Sequence, residues 1–148
     1  MDDIKIKKAE TEKELADALE IRRKVFIEEQ KVSLELEIDG KDKEADHFLA
    51  YSGDNPVGTF RIRYLSNKLA KIERMAVVFE SRGRGIGGQL METAISYLQK
   101  KGIKEMVLHA QEHARTFYEK FGFEQEGGTF EDANIPHVEM RKILPNRF

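Results

Sequence analysis

A cluster of glycines restricts the fold of this chain more than any other feature. Four of its eleven glycines lie within residues 81–88, which read Ser-Arg-Gly-Arg-Gly-Ile-Gly-Gly. The apolar run Met75–Phe79 before them predicts the end of a strand. The apolar residues after them share one helical face and predict a helix, namely Leu90, Met91, Ala94, Ile95 and Leu98. Residues 103–108 predict a second buried strand, so a βαβ unit with a parallel strand pair extends over about residues 72–110.

Antiparallel strands are expected around this unit. Ile4 and Ile6 alternate with lysines as in an edge strand, and a capping box at Thr11 begins an amphipathic helix that runs to about Phe26. Further strands are predicted at 47–51, 57–65, 69–79, 123–125 and 137–143, a short helix at 114–121, and a loop or short second helix at 28–46. We therefore expect a mixed α/β (α+β) fold in which helices flank a central mixed sheet of about six to seven strands.

The composition excludes several classes of protein. A chain of 148 residues suits one domain, which we expect to span residues 1–148. Lys and Arg total 25 against 27 Asp and Glu, so the net charge of −2 lacks the basic excess of a nucleic-acid binder. Cysteine is absent and the histidines lack metal-ligand spacing, so we expect no metal. No apolar run is long enough to span a membrane, and we expect a cytoplasmic protein without membrane or nucleic-acid partners.

The glycine cluster suits an anion. Glycines permit positive φ and a close approach of the backbone, and the free N–H groups at a helix start supply donors and partial positive charge. Arg82 and Arg84 add charge-assisted hydrogen bonds; the alternative is a tight turn with two solvated arginines. Gly83, Gly85 and Gly88 also satisfy the G-x-G-x-x-G spacing of dinucleotide-binding proteins. The cluster follows an antiparallel meander instead of the first strand of a doubly wound sheet, which argues against NAD(P).

Two linked motifs resemble the GNAT superfamily of N-acetyltransferases. Arg82, Gly85 and Gly87 match the Arg/Gln-x-x-Gly-x-Gly/Ala loop with which that family binds the coenzyme A pyrophosphate. Residues 72–77 resemble the central strand of the family, and residues 114–123 resemble its helix-to-strand signature. The resemblance implies a GNAT-like sheet and an N-acetyltransferase that uses acetyl-CoA.

The resemblance also implies where acetyl-CoA binds. The cosubstrate is expected between two splayed strands, one ending at Val77 and the other near Ala110. The pantetheine arm and acetyl group are expected to meet backbone groups of Met75, Ala76 and Val77. The pyrophosphate is expected at the following loop, which comprises Arg82, Gly83, Arg84, Gly85, Ile86, Gly87 and Gly88. Gln111 either contacts the arm or caps the end of its strand.

The implied reaction is a direct attack of a primary amine on the acetyl group in a ternary complex, without a metal. Tyr118 matches the general acid of the family, although its aromatic neighbours also suit a tyrosine of the core. Glu73 is the first candidate for the general base, or else a carboxylate paired with a neighbouring cation. His47 and His137 follow as candidate bases and as acceptor-binding residues, and packed structural histidines are the alternative.

The acceptor is expected to be a small-molecule or protein amine. Residues 22–30 resemble a segment of a small bacterial GNAT subgroup, and Glu29 within them is a candidate for holding an ammonium group. The acidic stretch 28–46 either favours a cationic acceptor or is only a charged loop. Two other functions fit the sequence, a coenzyme A sensor without turnover and an NAD(P)-binding protein. A homodimer is compatible with all of these features.

Overall fold

The computed structural model describes residues 3–145, which fold around one seven-stranded sheet. In chain order the helices and strands are β1 (Ile4–Lys8), α1 (Glu12–Arg22), α2 (Leu34–Glu37), β2 (Asp46–Ser52), β3 (Asn55–Tyr64), β4 (Leu69–Val77), α3 (Ile86–Lys100), β5 (Glu105–Gln111), α4 (Arg115–Glu119), β6 (Glu124–Asp132) and β7 (Ile135–Ile143). A π-helix continues α1, and short 3-10 helices lie in three connections, at Asp42–Glu44, Phe79–Ser81 and Glu112–Ala114. Among the helices of this described range, none is long and apolar enough to cross a membrane.

The sheet is mixed, as predicted. Its strands lie in the order β1-β2-β3-β4-β5-β7-β6. β4 and β5 pair in parallel through residues 69–72 and 105–108, and the other five neighbouring pairs are antiparallel. The predicted mixed sheet of six to seven strands is therefore confirmed, and β1 lies at one edge of it.

Helices cover both faces of the sheet. On one face the ring of Tyr97 from α3 packs against Phe48 of β2, which stacks on Phe60 of β3. On the other face Arg22 of α1 and Arg61 of β3 approach the same carboxylate. Since neighbouring residues of a strand point to opposite faces, α1 and α3 lie on opposite sides of the sheet. The apolar face predicted for α3 is buried against the sheet.

The first helix changes geometry before its predicted end. The capping box at Thr11 begins α1 as predicted, but the α-helical part ends at Arg22 instead of near Phe26. Residues 23–29 are π-helical, and the Gln30 N–H donates to the carbonyl five residues back (3.0 Å). A π-helical turn holds more residues than an α-helical turn and often lies at functional sites. This turn brings both Phe26 and Gln30 to the wall of the cleft between β4 and β5.

β4 is irregular at the centre of the sheet. Two of its residues, Arg74 and Met75, lie opposite the single residue Phe60 of β3, which is the pattern of a β-bulge. Arg74 has a φ of 57°, in the left-handed region that long side chains rarely adopt. The bulge shifts the alternation of side chains along the second half of the strand.

The parallel pairing of β4 and β5 stops before either strand ends. Its last pair is Ile72 and Leu108, while β4 continues to Val77 and β5 continues to Gln111. Within the described residues, the edge of β4 that faces β5 therefore has no strand partner over 73–77. Backbone N–H and C=O groups at such an edge are available to a ligand.

The two late strands, predicted at 123–125 and 137–143, are both longer in the structure. β6 extends to Asp132 and β7 begins at Ile135, with Ala133 and Asn134 between them at φ values of 51° and 63°. These values suit a two-residue type I′ hairpin. β6 lies at the edge of the sheet and is almost entirely exposed, so it lacks the alternating hydrophobicity from which a strand is predicted.

Candidate active site

The divergence of β4 and β5 opens into a cleft of about 480 Å³. Its walls come from the π-helix, the segment around α2, the second half of β4, the stretch from β5 to α4, and the β6–β7 hairpin. The predicted site residues that line it are Glu73, Met75, Ala76, Val77, Arg82, Gln111, Tyr118 and His137. Glu29, His47 and residues 83–88 of the glycine loop lie outside its lining.

The glycine loop leads from the cleft into the first turn of α3. Gly83 and Gly85 have φ values of 81° and 76°, which glycine adopts without strain. The first hydrogen bond of α3 joins the Gln89 N–H to the Gly85 carbonyl (3.1 Å), so the N–H groups of residues 86–88 precede the helical ladder. These N–H groups are donors that the predicted anion site requires, and anion binding there stays a prediction.

Arg82 joins the loop to the π-helix. Its Nε donates to the Val77 carbonyl (2.9 Å), and its two Nη atoms donate to the Glu29 carboxylate (2.6 and 2.7 Å). These hydrogen bonds hold the pKa of Glu29 below its usual value. Glu29 is thus engaged with a cation of this chain, and Arg82 must exchange that partner to meet another anion. Arg84 donates to Ser52 Oγ (3.3 Å).

Gln111 connects the two sides of the cleft at the end of β5. Its Nε2 donates to Gln30 Oε1 (2.8 Å), and its Oε1 lies 2.8 Å from His113 Nε2. Its side chain therefore extends across the space where the pantetheine arm is expected. A contact between Gln111 and that arm stays a prediction.

Tyr118 of α4 lines the cleft, and aromatic neighbours pack against its ring. The ring centroid lies 5.0 Å from that of Phe117 and 6.2 Å from that of Phe123, both in edge-to-face contact. The hydroxyl finds no hydrogen-bond partner within residues 3–145. Burial raises the pKa of Tyr118 to about 12. The hydroxyl therefore keeps its proton at neutral pH and has it available to donate.

Glu73 also lines the cleft but is surrounded by cations. Its Oε1 accepts from Arg61 Nε (3.1 Å) and Nη2 (2.8 Å), and its Oε2 lies 3.2 Å from Lys71 Nζ and 3.4 Å from Arg63 Nη1. Burial alone would raise the pKa of Glu73, but the attraction of Arg61 and Lys71 outweighs it, and the pKa lies below its usual value. A carboxylate held in this way is a weak base, so its catalytic role stays a prediction.

Buried arginines neutralise the acidic stretch that precedes β2. Arg22 and Arg61 are 1% and 0% exposed and share Asp42, whose Oδ1 lies 2.7 and 2.9 Å from their Nη1 atoms. Glu37 accepts from Arg22 Nε (2.6 Å), and Asp39 accepts from Arg61 Nη2 (2.6 Å). These three carboxylates hold α2 and the following turn against the sheet. They present no free negative charge, so these three carboxylates do not support the expectation of a cationic acceptor.

The two candidate histidines differ in access to the cleft. Nδ1 of His137 donates to the Ile135 carbonyl (2.7 Å), which leaves Nε2 as the unprotonated acceptor of the neutral ring. His47 is buried on β2, where its Nε2 donates to the Asp42 carbonyl (2.9 Å) and its Nδ1 has no partner among the described residues. The structure thus brings His137, and not His47, to the cleft.

The charged network predicts that stability is sensitive to acid. Burial alone would raise the pKa of Asp39, but hydrogen bonds from Arg61 and the Lys41 N–H outweigh it, and the pKa lies well below its usual value. As the pH falls, Asp39 therefore binds a proton at a higher pH in the unfolded chain than in the folded protein, and this difference favours unfolding. The free energy of unfolding is therefore expected to be steady near neutral pH and to fall below about pH 4, which urea denaturation across pH measures.

Two variants separate the contribution of the charged network to this pH dependence from that of other carboxylates. Asp39→Asn removes one of the perturbed carboxylates and is expected to lower stability at neutral pH and to flatten its dependence on acid. Asp132→Asn changes an exposed carboxylate without a described ion pair and is expected to leave the pH dependence unchanged. A wild-type protein equally stable at neutral pH and at about pH 2 would contradict the stabilising role of these pairs.

Several residues that line the cleft carry no functional prediction from the sequence, among them Phe26, Gln30, Lys71 and Arg74. The first two reach the cleft through the π-helix, which the spacing of apolar residues does not reveal. The alternation of charged residues along β3 and β4 is the available indication for Lys71, but its use requires the strand register. No sequence pattern indicates the left-handed φ of Arg74.

Comparisons with known proteins are consistent with one another. The sequence matches the family model of the acetyltransferase (GNAT) domain over residues 6–144. The uncharacterized N-acetyltransferase YjcF of Bacillus subtilis (strain 168) is 38% identical over 138 residues, which cover 90% of this chain and 96% of that protein. An acyl-CoA N-acyltransferase from Pseudomonas aeruginosa is 29% identical with a TM-score of 0.84, covering 95% of this chain and 98% of that one.

A further comparison concerns a ligand-bound structure. A GNAT family acetyltransferase from Elizabethkingia anophelis, solved with acetyl-CoA bound, has a TM-score of 0.75, covering 97% of this chain and 100% of that one. Its sequence is 19% identical, so the likeness shows the shared fold alone.

Proposed function

Because this chain belongs to the GNAT acetyltransferase family, we propose that it moves the acetyl group of acetyl-CoA to a primary amine by direct attack in a ternary complex. The observation that carries this proposal is the cleft, in which the unpaired edge of β4 connects the start of α3 to Tyr118. NAD(P) binding, which the glycine spacing also fits, has no support in the family or in the antiparallel strands that precede the loop.

The groups of this chain fit the parts of acetyl-CoA in sequence along the cleft. The N–H groups of residues 86–88 suit the pyrophosphate, since a helix start attracts anions. The backbone edge at Met75, Ala76 and Val77 has no strand partner on the β5 side, although the Val77 carbonyl accepts from Arg82 Nε, and it suits the amides of the pantetheine arm, which can pair with it as a strand would. Arg82 adds a charge-assisted contact when the pyrophosphate displaces Glu29.

Two side chains supply the proton transfers of the proposed reaction. Tyr118 donates its proton to the departing thiolate, because its hydroxyl is protonated and free of other partners. His137 removes a proton from the amine, directly or through water, because its Nε2 is left as an acceptor. Glu73 is the second choice for this base, since the cations around it stabilise its charged form.

The proposal is tested by binding and turnover together. Thermal denaturation with acetyl-CoA, coenzyme A, NAD and NADP is expected to show stabilisation by the first two only. Release of free thiol from acetyl-CoA is then followed with a panel of amines. Binding of acetyl-CoA without thiol release for any amine would favour a coenzyme A sensor, and stabilisation by NAD alone would overturn the proposal.

A further inference from the structure

Arg74 has hydrogen-bond donors that the protein itself does not use. Its Nη2 donates to the carbonyls of Leu36 and Glu37 (3.1 Å each) and approaches Asp39 Oδ2 (3.3 Å). Its Nε is buried 3.4 Å from Glu37 Oε1 without a hydrogen bond among the described residues, and its Nη1 makes no hydrogen bond within residues 3–145. The side chain is 24% exposed and lines the cleft. An arginine so placed can still bind an anionic group.

The backbone brings this side chain to the acceptor half of the cleft at a conformational cost. Regular alternation would direct Arg74 to the face opposite Glu73, toward α3. Because of the bulge and the left-handed φ of 57°, Arg74 instead reaches Asp39, which also bonds to Arg61, the partner of Glu73. Such strain costs about 1–3 kcal/mol, and where it occurs in a cleft it points to a function.

The carboxylates near Arg74 are already paired. Glu37, Asp39 and Glu73 line the cleft, and each has at least two cationic partners in this chain. Lys41 and the exposed Asp132 also line the cleft, each without a described ion pair. The acceptor half thus offers Lys41 and the unbonded Nη1 of Arg74, next to carboxylates that Arg22, Arg61, Lys71 and Arg74 itself already pair.

The same half has an apolar wall. Phe26, Val32 and Leu36 line the cleft, and Leu36 is 55% exposed. Apolar side chains at an open cleft gain free energy when an apolar group of a ligand covers them. An acceptor that contacts both Arg74 and this apolar wall carries an anionic group and an aliphatic or aromatic group.

We propose that Arg74 binds a carboxylate of the acceptor and thereby selects amines of the amino acid type with an apolar side chain. Lys41 adds positive charge to the same cleft, and the apolar wall receives the side chain. This inference rests on the proposed function, because it names the substrate class of the same site.

Matched amines test this selection. Leucine, leucinamide and 3-methylbutylamine share a side chain and differ in the carboxylate, and phenylalanine with its amide and phenethylamine forms a second set; spermidine represents a cationic acceptor. Wild type is expected to show the highest kcat/KM for the amino acids. The amides lose an amine proton more readily than the amino acids do, so this preference would not arise from amine pKa. Equal or better use of the amides or of spermidine would overturn the proposal.

Arg74→Gln assigns the selection to this residue. It is expected to lower kcat/KM for leucine by about 10- to 100-fold, mainly through KM, and to affect leucinamide much less, because leucinamide has no carboxylate for Arg74 to bind. Arg141→Gln is the matched control, since Arg141 of β7 pairs with Glu105, Glu126 and Glu139 outside the cleft. Equal losses for leucine and leucinamide would show that Arg74 only supports the fold and would overturn its role.

Calorimetry of leucine and leucinamide with the coenzyme A-saturated protein separates this inference from the proposed function. Leucine binding that Arg74→Gln removes, without acetylation of any amine, would support the binding role of Arg74 and contradict the proposed transfer reaction. Acetylation of amines without any preference for a carboxylate would support the transfer reaction and overturn the role of Arg74. Absence of leucine binding to wild type would likewise overturn it.

Discussion

Gly87→Asp is expected to weaken acetyl-CoA binding by at least about 100-fold while the protein stays folded. Gly87 is the second residue of α3, and its N–H precedes the helical ladder. A carboxylate there would lie where the pyrophosphate is expected, and two anions close together repel strongly at a partly desolvated site. An acidic residue in the first turn of a helix interacts favourably with the helix dipole, so the fold should not be weakened.

Gly87→Ala is the control that separates the steric effect of a side chain at this position from the effect of its negative charge. Its Cβ would lie 3.4 Å from Phe117 Cζ, an ordinary contact, and it adds no charge. We expect this variant to keep most of the affinity. Titration calorimetry gives the dissociation constant of acetyl-CoA for both variants and wild type, with melting temperatures measured alongside. A folded Gly87→Asp protein with wild-type affinity would remove the glycine loop from the cofactor site.

Elements with a buried face could be predicted from the sequence, and those without one could not. α3 has a continuous apolar stripe, and β5 is a short apolar run, so both were predicted near their true bounds. β6 is exposed and polar, and its edge position removes the alternation that identifies a strand. The π-helix after Arg22 depends on backbone hydrogen bonds that widen one turn, and apolar spacing does not report them.

The cofactor half of the site was easier to predict than the acceptor half. The glycine loop depends on neighbouring residues, so a short motif describes it. The acceptor half depends on contacts between distant segments, such as Arg61 with Asp39 and Glu73. Charge composition left open whether the acidic stretch 28–46 favours a cationic acceptor or is only a charged loop, whereas the register of β3 and β4 places a buried arginine among those acids. Without that register, a count of charges cannot distinguish paired carboxylates from free ones.

Tyr118→Phe is expected to lower kcat by about 10² to 10³ with little change in acetyl-CoA affinity. The substitution keeps the ring and its contacts with Phe117 and Phe123 and removes only the hydroxyl. That hydroxyl has no hydrogen-bond partner in the described part of the chain, so its loss breaks no internal bond, and the melting temperature should stay near that of wild type. Activity and stability are thus expected to separate in this variant.

Tyr64→Phe is the matched control, because its hydroxyl donates to Asp46 Oδ2 (2.6 Å) away from the cleft. Loss of that hydrogen bond is expected to cost about 1 kcal/mol of stability and to lower the melting temperature, with kcat retained. The two variants therefore predict opposite patterns, measured as kcat and melting temperature with an acceptor for which chemistry limits the rate. Near-normal turnover of Tyr118→Phe under that condition would show that the thiolate departs without this acid or takes its proton from water.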